Sequence, residues 1–475
     1  MRVFPMTTAI VIVLAQPTWA QEEAGEPAVP PIDAPIPMPG DDAPIPMPGD
    51  DTPDDHGDSA LAPVGIAGLV PISWDLRGYV EDTLNLEYRE AKDRLFALNS
   101  ARVRVNLEGK PNTHFDFGVG MVGTLNSGHT RIGLAQYLPE AEQAQLFVGG
   151  PAPGVPGARD LLVYELENRL YLQEAFATLY LPHLRIRAGR HKFYSGTGFA
   201  YNPIDLFNRK DPLDPTYEID GIDALLVAIE LPGQTEIQGL MGLGNRLDRT
   251  DYLARLETYL SGWDIALQYT HHIRRRTDWR ALVSPAGAGA VSVGAPLDTF
   301  ERTFRWQLIA AELSGEILGL GVHAEGGWTF ADALDNAGTL TRAAEDHERL
   351  LVGFDYTFDF QLYVLVEYMR LGQGRAQTAD IDLNDRMALF AGEILAIDRD
   401  ILFAGVSFPL TDLTELAVYS IIGLNDPSAV VNPWLVVDVY PGVKLWITGV
   451  VPFGNEQGQN GKSGAGGFAR LRFSF

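Results

Sequence analysis

Charged side chains two residues apart recur along this chain. Arg102 and Arg104, Arg185 and Arg187, and Arg470 and Arg472 share that spacing, and Arg77, Arg305 and Lys444 sit in similarly alternating rows. In an extended segment, residues i and i+2 point to the same side. Each pair therefore sends two cations to one face and the residue between them to the other. Glu81 and Asp116 occupy rows of the same kind. A face built this way can guide an anionic solute over a wet surface, or it can pair with carboxylates such as Asp75, Glu81 and Asp116 and stiffen a wall. The sequence leaves both readings open.

A second group lies in segment 191–221, which carries six aromatic residues and three prolines. Such a stretch is too structured in composition for a slack connection. It is expected either to fold inward as a constriction, with Asp205, Arg209, Lys210 and Asp211 facing one another across an opening, or to pack externally. A third group is the run His271 to Arg280, with its clustered arginines. It reads as a solvated loop base, or as a patch meeting lipopolysaccharide phosphates or gathering anions. His271 and His272 are adjacent, so on a strand they point to opposite faces and make a poor chelate. No metal site and no cofactor is expected.

Enzyme signatures are missing. The chain has no HExxH and no G-x-S-x-G elbow. Gly461-Lys462-Ser463 resembles the end of a phosphate-binding loop, but Glu456 stands where its first glycine belongs. The cysteine count is zero, which removes disulfides, thiolate ligands and a lipidated cysteine anchor. A net charge of −26 argues against nucleic acid.

The elements that must position these residues follow a period of two. On the first segment Asp75, Arg77, Tyr79, Glu81, Thr83 and Asn85 alternate with Leu76, Gly78, Val80, Asp82, Leu84 and Leu86, and only Asp82 breaks the second row. Eighteen segments read this way: 72–88, 94–108, 112–123, 169–180, 183–190, 222–231, 234–243, 252–261, 263–273, 302–314, 317–330, 347–359, 361–371, 399–409, 413–424, 430–440, 442–451 and 467–475. Connections after even-numbered segments are short, as at Ser261-Gly262 and Gly315-Glu316, and those after odd-numbered ones are mostly long. No run of 18 apolar residues offers a helical span, although 46% of the chain is hydrophobic. The expected fold is an all-β transmembrane antiparallel barrel of 18 strands, with 16 as the alternative, over residues 71–475. Tyr88, Trp263, Tyr269, Trp306, Trp328, Phe330, Tyr356, Phe358 and Tyr368 are expected to face outward as interfacial girdles.

Residues 1–20 read as a signal peptide: Arg2, an apolar core from Met6 to Ala15, and Thr18-Trp19-Ala20 before a mature start at Gln21. Residues 21–70 read as a disordered, acidic, Pro-rich periplasmic tether. From Gln21 to Trp74 there are 11 Asp and Glu and no Lys or Arg, and DAPIPMPGD occurs twice, at 33–41 and 42–50. Proline favours extended polyproline II here. The segment reads as a spacer or as a docking arm for a periplasmic partner through 33–50.

The last segment alternates and ends on Leu471, Phe473 and Phe475. In this it resembles bacterial outer-membrane barrels, whose terminal strand is read by the barrel-assembly machinery. Gly189-Arg190 followed by Asn202-Pro203-Ile204-Asp205 resembles segments of porin-like and alginate-export-like families, the latter also 18-stranded. The resemblance implies the outer membrane, with its lipid and lipopolysaccharide, as the setting. The expected function is passage of small hydrophilic solutes, anions among them. The alternatives are a plugged barrel acting as envelope anchor or scaffold through its tether, and an outer-membrane hydrolase. Closure would bring Arg470 and Arg472 beside Arg77.

Overall fold

The computed structural model describes residues 73–89, 94–139, 142–143, 162–214, 216–242, 250–284, 286–287, 290, 297–334, 340–343, 345–455, 457–461 and 464–475. The signal peptide, the tether and its repeat lie outside the described residues.

The strands, in chain order, are β1 (Ser73–Arg89), β2 (Arg94–Asn112), β3 (Phe115–Gly128), β4 (Arg131–Gly133), β5 (Val163–Glu165), β6 (Arg169–Leu181), β7 (Leu184–His191), β8 (Ile222–Leu231), β9 (Thr235–Gly242), β10 (Tyr252–Leu260), β11 (Trp263–Thr277), β12 (Glu301–Ile317), β13 (Leu320–Leu334), β14 (Leu340–Ala343), β15 (His347–Thr357), β16 (Tyr363–Leu371), β17 (Asp400–Thr411), β18 (Thr414–Gly423), β19 (Ser428–Tyr440), β20 (Val443–Gly454) and β21 (Ala465–Ser474). One sheet holds nineteen of them, and β4 and β5 form a separate pair. β14 is a short flap on the end of β13. The remaining eighteen each pair antiparallel with their neighbours, and β1 pairs with β21 from Tyr79↔Ser474 to Tyr88↔Ala465. The sheet is therefore a closed barrel with no free edge, which is how a sheet satisfies its backbone in hydrocarbon. Each of the eighteen expected segments corresponds to one of these strands.

Alternation fixes the two faces. Tyr79, Glu81, Thr83, Asn85 and Glu87 of β1 are buried inside, while Leu76, Val80, Leu84, Leu86 and Tyr88 are exposed outside. Leu267, Ile309, Trp328, Phe330, Phe354, Leu471 and Phe473 extend the exposed apolar surface around the wall. An apolar belt of this extent suits lipid and not water. The molecule is a transmembrane barrel of the outer-membrane type, crossing with strands; no helix among the described residues is long and apolar enough to do so. Asp82, the outward carboxylate of β1, accepts from Asn99 Nδ2 at 3.0 Å.

Tight turns join the strands at one end. Ser261 and Gly262 both take positive φ (55° and 87°), as do Leu318 and Gly319 (55° and 83°), the twist that suits a two-residue hairpin. The β12–β13 turn thus lies at Leu318-Gly319 and not at Gly315-Glu316. β12 also corrects two side-chain expectations. Trp306 is buried inside the barrel with Leu308, Ala310 and Glu312. Arg305 takes the other face and pairs with Asp332 at 2.6 Å. The inner row of β12 is largely apolar, so the sequence offers little polar contrast from which to read its parity.

Candidate functional site

The connection from β7 to β8, residues 192–221, folds into the lumen and touches the inner wall on both sides. Its second half carries acids to a basic wall. Glu218 accepts from Arg102 at 3.2 Å, from Arg104, from Tyr79 at 3.3 Å and from Gln173 at 3.2 Å. Arg470 donates to Asp214 Oδ2 at 2.6 Å and to Thr216 Oγ1 at 2.7 Å. Arg472 clasps Glu81 at 2.5 and 2.8 Å, and Arg470 lies 3.5 Å from the same carboxylate. Lys192, at the start of the loop, reaches Glu174 at 3.3 Å. The side chains of Arg470 and Arg472 are 0% and 1% exposed, so the loop seals this wall. Burial by itself would raise the Glu218 carboxyl. Arg104 and Arg102, with Lys192 and Arg472 behind them, outweigh that and hold it at about 2.

Its first half brings backbone donors to an acidic wall. Thr197 N donates to Glu325 Oε2 at 2.7 Å. Glu367 accepts from Phe199 N, from Ala200 N at 2.8 Å and shares a hydrogen bond with His323 Nε2 at 2.8 Å. Gln268 and Arg349 hold the loop further by donating to Ile204 O at 3.1 Å and Pro203 O at 2.6 Å. Gly196 is required here: its φ is +99°, and a Cβ would come within 2.4 Å of Glu325 Oε2. Ala200, Tyr201 and Leu213 then cover an apolar stretch of inner wall that includes Leu351, Leu365, Met369, Ile401 and Phe403.

The two walls stand opposite each other. β12 is nine strands from β1 in either direction around the ring. The basic residues lie on β2 and β21, on either side of β1, and the acids Glu312, Glu325 and Glu367 on β12, β13 and β16. The loop is matched to both, acidic where it meets arginines and rich in N–H where it meets carboxylates.

The residues singled out from sequence fall as follows. Arg102, Arg104, Arg470, Arg472 and Glu81 form one buried cluster with the loop. Arg77 does not join it: it pairs with Asp75 at 2.7 Å, and the seam register sets Arg472 opposite Glu81 instead. Arg185 pairs with Glu236 at 3.1 Å, and Arg187 donates to Thr178 at 2.9 Å. Asp116 accepts from Tyr180 at 2.9 Å, and Lys444 pairs with Asp438 at 3.2 Å. Asp205, Arg209, Lys210 and Asp211 do not face one another across an opening. Asp205 caps Phe207 N and Asn208 N at 2.8 and 3.0 Å, and Asp211 caps Leu213 N at 3.0 Å. Lys210 donates to Gly198 O within the loop, and Arg209 to Leu389 O at 3.3 Å. Short acidic side chains beside proline cap their own turn before they can reach across a lumen. Burial, with Asp214 nearby, pushes Asp211 up to about 7. The sequence does not mark Asp214, Thr216 and Glu218 for this role; the acids that follow Asp211, one of them beside Pro215, are their one signal.

The long-loop end is roofed. Ile132, Leu134, Tyr137, Leu138 and Leu162 pack with Trp279, Leu282 and Val283 of helix α1 (Trp279–Val283) and with Met387 and Phe390 of helix α2 (Leu383–Phe390). Arg386 ties this roof together, bonding Glu142 at 3.0 Å, Gln457 O at 2.6 Å and Gly458 O at 3.2 Å. Tyr137 reaches down to Glu87 on the inner face of β1 at 2.9 Å.

No family model and no curated protein matches the chain. Among solved structures it is similar to OccAB2 of Acinetobacter baumannii, at 7% identity and a TM-score of 0.47, over 85% of this chain and 98% of that one. It is also similar to OccK11 (OpdR) of Pseudomonas aeruginosa, at 10% identity and a TM-score of 0.42, over 85% and 95%. A third is OmpF of Salmonella typhi in complex with daunomycin, at 11% identity and a TM-score of 0.39, over 85% and 98%.

Proposed function

We propose that this chain is an outer-membrane channel for small hydrophilic solutes, anions among them, and that loop 192–221 sets its bore. The supporting observation is a closed barrel with an apolar outside and opposed charged inner walls. Buried charges of this number are costly in a wall that serves only as a wall, whereas fixed charges beside water attract and orient ionic solutes. The solute path is assigned to the inner face beside Arg77, Asp116, Arg185, Arg187 and Lys444, which remain partly exposed, and to the Arg102, Arg104, Arg470, Arg472 and Glu81 cluster once the loop gives way. Outward-facing Leu471, Phe473 and Phe475 fit a strand recognised by the barrel-assembly machinery.

A second reading draws on the burial of Arg470 and Arg472. In it the loop is a permanent plug, and the barrel anchors or scaffolds the envelope through residues 21–70, with 33–50 as the docking arm. Planar-bilayer recording separates the two. The channel reading expects steps of ionic current that grow when Asp214→Asn or Glu218→Gln weakens the loop. Absence of current in the wild type and in both variants would leave only the anchor.

A further inference from the structure

We propose that the recess around Trp306 is a binding site for a small oxyanion. β11 carries Arg274 and Arg276 to the inner face at the long-loop end, and β15 carries Arg349. Their guanidinium carbons lie 4.7, 5.5 and 4.8 Å from the centre of the Trp306 ring. Arg209 of loop 192–221 is within electrostatic reach of Arg274. Three cations thus converge on one indole, with a fourth acting on Arg274 from the loop.

None of the four makes an ion pair among the described residues. Their partners are neutral. Arg274 donates to the backbone carbonyl of Glu393, Arg276 to Gln373 Oε1 at 2.6 Å, and Arg209 to Leu389 O at 3.3 Å. Arg349 is held by Pro203 O at 2.6 Å and Thr329 Oγ1 at 3.0 Å, with His347 Nε2 at 3.3 Å. Arg276 Nε and a terminal nitrogen of Arg209 are buried with no partner. The Glu393 carboxylate turns to Thr277 N, at 3.2 Å.

Contrast the Arg102 cluster, where each guanidinium meets a carboxylate. Around Trp306 the protein supplies geometry and charge, while the carboxylates that act on these cations, Glu393, Asp385 and Asp211, do so at longer range without closing an ion pair among the described residues. Guanidinium forks favour oxygens of phosphate, sulfate or carboxylate over a spherical ion. The face is inward, so lipid headgroups are not the source. The residues come from the wall, from loop 192–221 and from the connection between β16 and β17. A bound oxyanion would therefore fasten the crossing loop to the roof.

The test uses the full chain folded in detergent, titrated with inorganic phosphate by calorimetry at fixed chloride. Saturable binding is expected, with sulfate competing. Arg276→Gln, at the strand end, and Arg274→Gln should each weaken it roughly tenfold or more, the scale of one lost charge-assisted contact. Arg275→Gln, on the outer face of the same strand, should leave it unchanged, and heat-modifiable gel mobility checks that each barrel has folded. No saturable phosphate binding to the wild type, or binding in Arg274→Gln and Arg276→Gln as tight as in the wild type, overturns the site. A barrel that conducts without binding phosphate also overturns it and leaves the channel standing. Binding without conductance supports the site and removes the channel.

Discussion

Replacing Glu218 by Gln should free loop 192–221. The carboxylate answers both Arg102 and Arg104 in a region closed to solvent. Its ordinary value of 4.5 falls to about 2 in the docked loop, a difference that corresponds to about 3 kcal/mol. Leaving two buried guanidiniums without their partner costs about 3–5 kcal/mol by the usual measure of a broken buried pair. At pH 7 the released fraction should therefore rise by about 100-fold or more. The sign with pH follows from a depressed carboxylate. Docking gains the whole contribution above about 4.5, and loses it as pH falls towards about 2. The chain has no cysteine, so Ser195→Cys introduces a single thiol at a position 2% exposed. Its modification by a small thiol reagent reports undocking directly. Labelling should be about 100-fold faster with Glu218→Gln than without it at pH 7. Equal rates would refute the view that this carboxylate holds the loop.

Asp211 should act in the opposite sense. Its docked value is raised to about 7 from 3.8, so its help to docking is complete below about 3.8 and is lost as pH rises through 7. Labelling at Ser195→Cys should quicken over that window in the wild type and lose most of the slope in Asp211→Asn. Gly196→Ala should raise single-channel conductance, because its Cβ displaces the loop from Glu325; an unchanged conductance level would count against that docking point. Leu267→Arg places a charge on the lipid face at a position 55% exposed, and should destabilise the folded barrel by about 2–4 kcal/mol in urea titrations in lipid. Deleting residues 24–60 should leave conductance intact, and co-purification lost with that deletion separates a docking arm from a spacer; loss of conductance would move that segment into the channel itself.

Strand number, order and facing were legible because a period of two is strict and one inner charge betrays a whole row. Arg470 and Arg472 declared their face through Leu471 and Phe473 on the other. The same logic failed at Trp306, where apolar residues line both sides of β12. The partners of the basic wall were not legible. Glu218 and Asp214 lie in a segment without periodicity, and nothing local says that a loop leaving β7 will return to β2 and β21. Proximity there is a product of closure, and the chain separation between Asp214 and Arg470 is 256 residues.

That separation carries a consequence for assembly. Arg470 and Glu81 meet only where β21 zips to β1, and Asp214 can settle only on the surface that this zipping creates. Until the ring closes, Glu218 already has its arginines on β2, but Asp214 lacks the β21 arginine that receives it, and the docking is only half made. The crossing loop is thus a latch that sets after the door shuts: an unfinished ring holds its gate slack, and a finished one draws it tight.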